Sequence, residues 1–261
     1  MKALYIFATS DRPDAYINAI AYSVEHLNVG SIYVIVISEH DYPEEAQDAQ
    51  VMATGVLANI VLQLQALRDG KYMEFSRVHG QNIASELENK EGIQVYSKCL
   101  EVINKSGTTG IAIPYSSLGM VLKNYIKNGN CLFDVSALKK NLLVDVVTIL
   151  LSYNFSEVYS FELQKKPSFN QKDLYHNLKR ENSFAFRNLA NSEPVQNSLR
   201  RISRWTLRAR AIFVYTAIVA LVFIPISIFW KDSPAVIVFN SAAIIAGIGS
   251  YLYMFVREQK A

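Results

Sequence analysis

Two charge-free apolar runs near the end of the chain constrain it more than any other feature. Residues 211–230 read AIFVYTAIVALVFIPISIFW, and residues 235–256 form a second uncharged stretch that ends at Arg257. At 1.5 Å of rise per residue, about 20 helical residues match the hydrocarbon thickness of a bilayer. Between the runs, Lys231-Asp232-Ser233-Pro234 makes a tight polar turn. Uncharged runs of this length favour spanning helices over a pair of buried core helices. The expectation is a hairpin of two transmembrane helices within a module covering 208–261.

Charge placement orients the hairpin. The net charge of +3 is too small to point to a nucleic-acid binder, and no binding to a nucleic-acid duplex is expected. However, Arg200, Arg201, Arg204, Arg208 and Arg210 crowd before the first run, and Arg257 and Lys260 follow the second. The turn holds only Lys231. The positive-inside rule then puts both termini in the cytoplasm, in a multi-pass protein of the inner (cytoplasmic) membrane. Those arginines also suit anionic headgroups. The N-terminus MKALYIFATS carries an apolar run too short for a signal peptide, so the first domain is expected to stay where it is made.

Ala243 and Gly247 in the second run are spaced for close helix packing, and Asn240 is an amide that would seek a partner across a helix interface. These residues serve equally to pack the hairpin on itself or to join copies of it. Two helices cannot enclose a pore, so any channel requires a homo-oligomer, with the lipid bilayer as the other partner.

Residues 1–165 alternate short apolar runs with amphipathic ones. ALYIFATS reads as a strand, AYINAIAYSVEHLN as a helix stopped by Gly30, and SIYVIVISE as a strand covered on both faces. A long helix then runs to about Asp69-Gly70, followed by a third strand in KYMEFSRV. IQVYSKCLEVINKSG reads as a helix ended by Gly107, GIAIPY as strand, and SSLGMVLKNYIKNG as a helix stopped by Gly129. CLFDVSA is a strand, KNLLVDVVTILLSYN a helix, and EVYSFEL the last strand. The alternation implies an α/β fold, a Rossmann-like mainly parallel sheet flanked by helices. The polar stretch 166–207, broken by Pro167 and Pro194, reads as a helical or partly flexible connector.

In an open parallel sheet, ligands gather at the carboxyl ends of the strands. Polar residues stand at three such ends: Thr9, Ser10 and Arg12 after the first strand, Ser38 and Glu39 after the second, and Asp134, Ser136 and Lys139 late in the chain. Hydroxyls, a helix N-terminus and a cation together suit a phosphorylated or nucleotide-like ligand, although the same residues also serve as ordinary helix caps. There is no GxGxxG fingerprint and no Walker motif, so no cofactor is implied. His26, His40, His79 and His176 are scattered without ligand spacing, and Cys99 and Cys131 are isolated, so no metal site is expected. Glu39 is the one carboxylate considered for catalysis, and the sequence does not otherwise show an enzyme.

The segments FATSDRP and CLFDVSALKK, on a cytosolic α/β domain joined to two short transmembrane helices, carry a resemblance. In architecture the chain resembles membrane effectors of prokaryotic antiphage defence, including those with CRISPR-associated Rossmann-fold sensors. The resemblance implies a domain that senses a nucleotide messenger, with Thr9, Ser10, Asp134, Ser136 and Lys139 at its ligand. It also implies a membrane part that disrupts the inner membrane after assembly. Two other readings stay open: a membrane-anchored enzyme acting on nucleotides or NAD, and a non-catalytic adaptor that binds another protein.

Overall fold

β-Branched and aromatic runs form the strands of this chain, and the amphipathic runs between them form helices that cover both faces of the resulting sheet. The computed structural model describes residues 1–39, 42–75, 82–166, 170–178, 183–193 and 195–197. The expected membrane spans, with Asn240, Ala243 and Gly247, and His40 and His79 lie outside the described residues. Within them the order is β1 (Lys2–Phe7), α1 (Asp14–His26), β2 (Val29–Ser38), α2 (Pro43–Arg68), β3 (Lys71–Glu74), β4 (Ile83–Glu86) and α3 (Gln94–Ser106). There follow β5 (Gly110–Pro114), α4 (Leu118–Lys127), β6 (Cys131–Asp134), α5 (Lys140–Ser152), β7 (Val158–Leu163) and β8 (Phe184–Asn188).

Six of the strands form one sheet in the order β5-β2-β1-β6-β7-β8. All neighbours pair in parallel except β7 and β8. The chain thus builds outward from β1 through β2 to β5, returns across the sheet to β6, and builds outward the other way. This is the Rossmann-like order, whose direction reverses between β1 and β6.

The period-2 alternation of the central strands separates two apolar layers. Leu4 and Ile6 of β1, Ile32, Val34 and Val36 of β2 and Leu132 of β6 pack on α1, α2 and α3. Phe7, Ile35, Cys131 and Phe133 face the other way, onto Leu118 and Leu122 of α4 and Val146 and Leu150 of α5. Both faces of the sheet are covered, as the near-continuous apolar run of β2 requires.

By length and composition, α2 is the one helix among the described residues able to cross a membrane, with a mean hydropathy of 1.4 over the most apolar 18 residues of Glu44–Arg68. Its apolar content has a local use. Ala49, Ala53, Val56, Ile60, Leu64 and Leu67 recur at helical spacing and are buried against the sheet and α3.

Several elements depart from the sequence reading. Gly30 does not stop α1, which ends at His26; the reversal falls on Asn28, at φ 56°, and Gly30 lies inside β2. Asparagine tolerates the left-handed region through its short polar side chain, so no glycine is needed there. The third strand, β3, is outside the main sheet and pairs only with β4 as an antiparallel hairpin. EVYSFEL is not the last strand. FAFRN, within the stretch read as connector, forms β8 and stacks Phe184 on Phe161 and Phe186 on Tyr159 across the β7 ladder. The compact unit accordingly runs from Met1 to Gln196.

The edge strand β5 is closed by α2. Gln50 donates to the Gly110 carbonyl at 2.8 Å and accepts from the Ala112 amide at 3.0 Å, occupying edge groups that would otherwise invite another strand. The approach requires glycine at 110, where a Cβ would stand 2.5 Å from the backbone carbon of Ala53. Gly110→Ala should therefore lower stability by about 1–3 kcal/mol, as overpacking does, and thermal unfolding of the full chain checks it.

Candidate functional site

The reversal of strand order splits the loops after β1 and β6, and a cavity of about 540 Å³ opens between them. That is the size of an ordinary small-molecule site. Thr9, Ser10 and Arg12 from the β1 loop and Ser136 from the β6 loop line it, so the structure brings four of the residues singled out from sequence together. The other walls come from Asp14, Tyr16 and Asn18 of α1, from Phe161 and Leu163 of β7, and from Asp173 and Leu174. The last two belong to the strap 170–178 that links β7 to β8.

The β1 loop is knitted by its own hydrogen bonds. The Tyr16 hydroxyl, fully buried, accepts from the amides of Thr9 at 3.2 Å and Ser10 at 3.0 Å and donates to the Ser10 carbonyl at 2.7 Å. Burial raises the pKa of that phenol, so it remains protonated as the donor. The Arg12 amide donates to Ser10 Oγ, and Thr9 Oγ1 donates to the Ala137 carbonyl at 2.6 Å, which ties the β1 loop to the β6 loop.

On the β6 side, Asp134 is fully buried and does not reach the cavity wall. It accepts hydrogen bonds from the Ser136 amide and hydroxyl, and the Phe161 amide donates to Ser136 Oγ at 2.6 Å. Asp134 therefore positions Ser136 and, through it, the start of the Phe161 wall. Burial pushes its carboxyl up to about 6, against the opposing effect of the two bonds from Ser136. Its Oδ2 has no hydrogen-bond partner among the described residues.

Glu39 and Lys139 meet each other. They form an ion pair of 2.7 Å across the top of the sheet, both partly exposed, and border a separate cavity of about 90 Å³ that shares Thr9 with the larger one. Ser38 is buried at the end of β2 and lines neither of these two cavities. His176 is held by the Tyr96 hydroxyl at 2.7 Å and the Asn89 carbonyl at 3.1 Å, which fastens the strap to α3 and the turn before it. Burial lowers its pKa. No three His, Cys, Asp or Glu side chains group as a metal site among the described residues.

The wall of the large cavity holds two carboxylates that sequence reasoning missed, Asp14 and Asp173, the second with Lys165 at 3.9 Å. Asp14 accepts from the Tyr72 hydroxyl at 2.9 Å and from Gln63 at 3.4 Å, and burial raises its pKa. Asn18 donates to the Asp173 carbonyl at 2.8 Å. Asn18 had a local signal, a lone amide in the otherwise apolar run Tyr16-Ile17-Asn18-Ala19-Ile20 on the buried side of α1. Asp173 had none, because nothing local shows that the strap returns to the cleft.

Compared with protein-family models, curated proteins and solved structures, the chain matches none. Its geometry has to stand alone.

The buried Asp134 generates a pH test. With its folded pKa above its unfolded value, its stabilising contribution is complete below about pH 4 and is lost as pH rises through about 6. Two pKa units correspond to roughly 3 kcal/mol. Asp134→Asn keeps an acceptor for Ser136 without the charge. Thermal unfolding of wild type and variant between pH 5 and 8 should show a fall in Tm for the wild type and a flatter profile for the variant.

Proposed function

We propose that this chain is a membrane effector whose α/β domain senses a nucleotide-type ligand in the crevice between β1 and β6. Its C-terminal apolar helices, expected at 211–230 and 235–256, then oligomerise and perturb the inner membrane. Prokaryotic antiphage effectors of similar architecture supply the physiological setting. The observation that carries the reading is the position of the 540 Å³ cavity, at the point where strand order reverses, with Thr9, Ser10, Arg12 and Ser136 in its wall. Doubly wound sheets bind nucleotides there because the diverging loops leave a crevice that no side chain of the sheet can fill.

An adaptor that only docks a protein has no use for such a cavity. The reading as an enzyme on nucleotides or NAD had Glu39 as its candidate, and Glu39 sits outside this cavity in an ion pair with Lys139. The strap gives the proposed signal a route. It contributes Asp173 and Leu174 to the cleft wall and continues along the chain into β8 and then into the segment that leads to the apolar runs. Binding that favours one arrangement of the strap shifts the population of whatever follows it.

The test uses the full chain, once in detergent and once in dye-loaded liposomes, titrated with AMP, ATP, NAD and cyclic di- and oligonucleotides. At 100 times its Kd a ligand adds about 2.7 kcal/mol, which for a domain of this size raises Tm by about 5–10 °C. The expected result is such a shift, together with dye release, for one ligand recovered intact. Leakage that is the same with and without every nucleotide overturns the effector reading, and consumption of the ligand makes the protein an enzyme.

A further inference from the structure

From Ala49 to Leu67, about five turns of α2 carry no charged side chain. One side of these turns packs on the sheet and α3, and the opposite side meets solvent. A helix that only covers a sheet ordinarily turns charged residues outward. Here the outward positions include Val51, Thr54, Gly55, Ala58, Leu62 and Gln65, with Val51 66% exposed and Leu62 42% exposed. Single exposed apolar residues are commonplace, but two large ones on an uncharged stripe along a helix suit a partner surface.

Spacing and charge indicate the occupant. Val51, Gly55, Ala58, Leu62 and Gln65 recur at alternating intervals of four and three, so the stripe runs along the helix and a second helix can lie along it. Val51 and Leu62 stand equally far from a centre between Gly55 and Ala58. A twofold rotation about that centre lays Val51 of one copy against Leu62 of the other, and Gly55 against Ala58. A Cβ at Gly55 would meet nothing within 4 Å, so the centre is an open shelf on which two backbones can approach closely. The ends are complementary. Glu44, Glu45 and Asp48 open the helix, while Arg68, Asp69 and Lys71 stand at its close. Arg68 holds Asp69 at 2.8 Å, and Lys71 gives this end its excess of positive charge. Antiparallel copies bring unlike ends together and oppose their helix dipoles, whereas parallel copies would set three carboxylates against three. A lipid surface is a worse match, because those carboxylates would meet anionic headgroups and the stripe carries no aromatic or long basic side chain.

We infer that the outer face of α2 is where two copies of this chain pair, antiparallel, with the twofold axis between Gly55 and Ala58. These few positions a side fall short of the roughly 20–30 residues of a stable interface. The contact is therefore weak between free chains and gains strength when two chains share one membrane, where their effective concentration is high. A twofold contact of this kind closes on itself at two copies, so any larger assembly needs a second contact elsewhere in the chain. The inference stands on α2 alone and is independent of what the cleft binds.

Cysteine cross-linking of the full chain in liposomes tests it, with the parent chain as background control because Cys99 and Cys131 are buried. The variants are Val51→Cys, Leu62→Cys and the two combined in one chain. A bismaleimide spanning about 8 Å, the separation of closely packed helices, should join the double variant into a dimer. Neither single variant should be joined, since in an antiparallel pair its two cysteines stand about 16 Å apart along the axis. Ala58→Arg, added to the double variant, sets two cations at the axis and should lower the dimer yield at least about tenfold. Its position is exposed, so thermal unfolding should be unchanged. A dimer from Val51→Cys alone as readily as from the double variant overturns the antiparallel pairing, and a dimer indifferent to Ala58→Arg overturns the contact at Gly55 and Ala58. If no dimer forms, a soluble maleimide tells whether the cysteines are open or shielded. Open cysteines mean that nothing covers the face, and shielded ones mean that lipid or another segment of the chain does. Either result overturns the second copy. None of these outcomes bears on the nucleotide reading, which ligand titration decides.

Discussion

The sheet depends on β1 being hydrogen-bonded on both sides, to β2 along one edge and to β6 along the other. A strand in that position must be apolar on both faces, and Leu4, Ile6 and Phe7 are all fully buried, divided between the two layers. Because the two halves of the sheet grow away from β1 in opposite directions, the loops leaving β1 and β6 diverge. The crevice between them follows from connectivity, and the side chains on those loops decide only what it accepts.

Those loops hold themselves in shape. Tyr16 takes up the donors of the β1 turn, Thr9 fastens that turn to the β6 loop, and Ser136 joins Asp134 to the backbone of β7. The hydroxyl and amide groups that suggest a phosphate cradle in the sequence are therefore largely engaged in building the cleft. A network of this kind fixes a cavity before any ligand arrives, so less ordering is needed on binding.

Much of the fold was legible because it rests on local pattern. Gly107 and Gly129 take positive φ at or just past the ends of α3 and α4, where an αL residue terminates a helix. β2 showed itself by an unbroken apolar run, and α2 by its length. The errors share a cause. Gly30 misled because Asn28 performed the same backbone reversal two residues earlier. FAFRN was passed over because a five-residue edge strand gains its stability from Tyr159 and Phe161 on the neighbouring strand, contacts that its own sequence does not contain.

For the site, sequence determined which polar residues stand at strand ends, since strand and helix periods alone locate those ends: Thr9, Ser10, Arg12 and Ser136 were found in this way. It also determined the two charge-free runs near the C-terminus, a property of length and composition that needs no fold. Tertiary structure alone decided that Glu39 and Lys139 pair with each other, that Asp134 supports the site from beneath, and that Asn18 meets Asp173 across 155 positions. Local preference acts over a turn or a strand. The character of a cleft is set by whichever distant segments border it, and here a strap between two strands adds Asp173 and Leu174 to its wall.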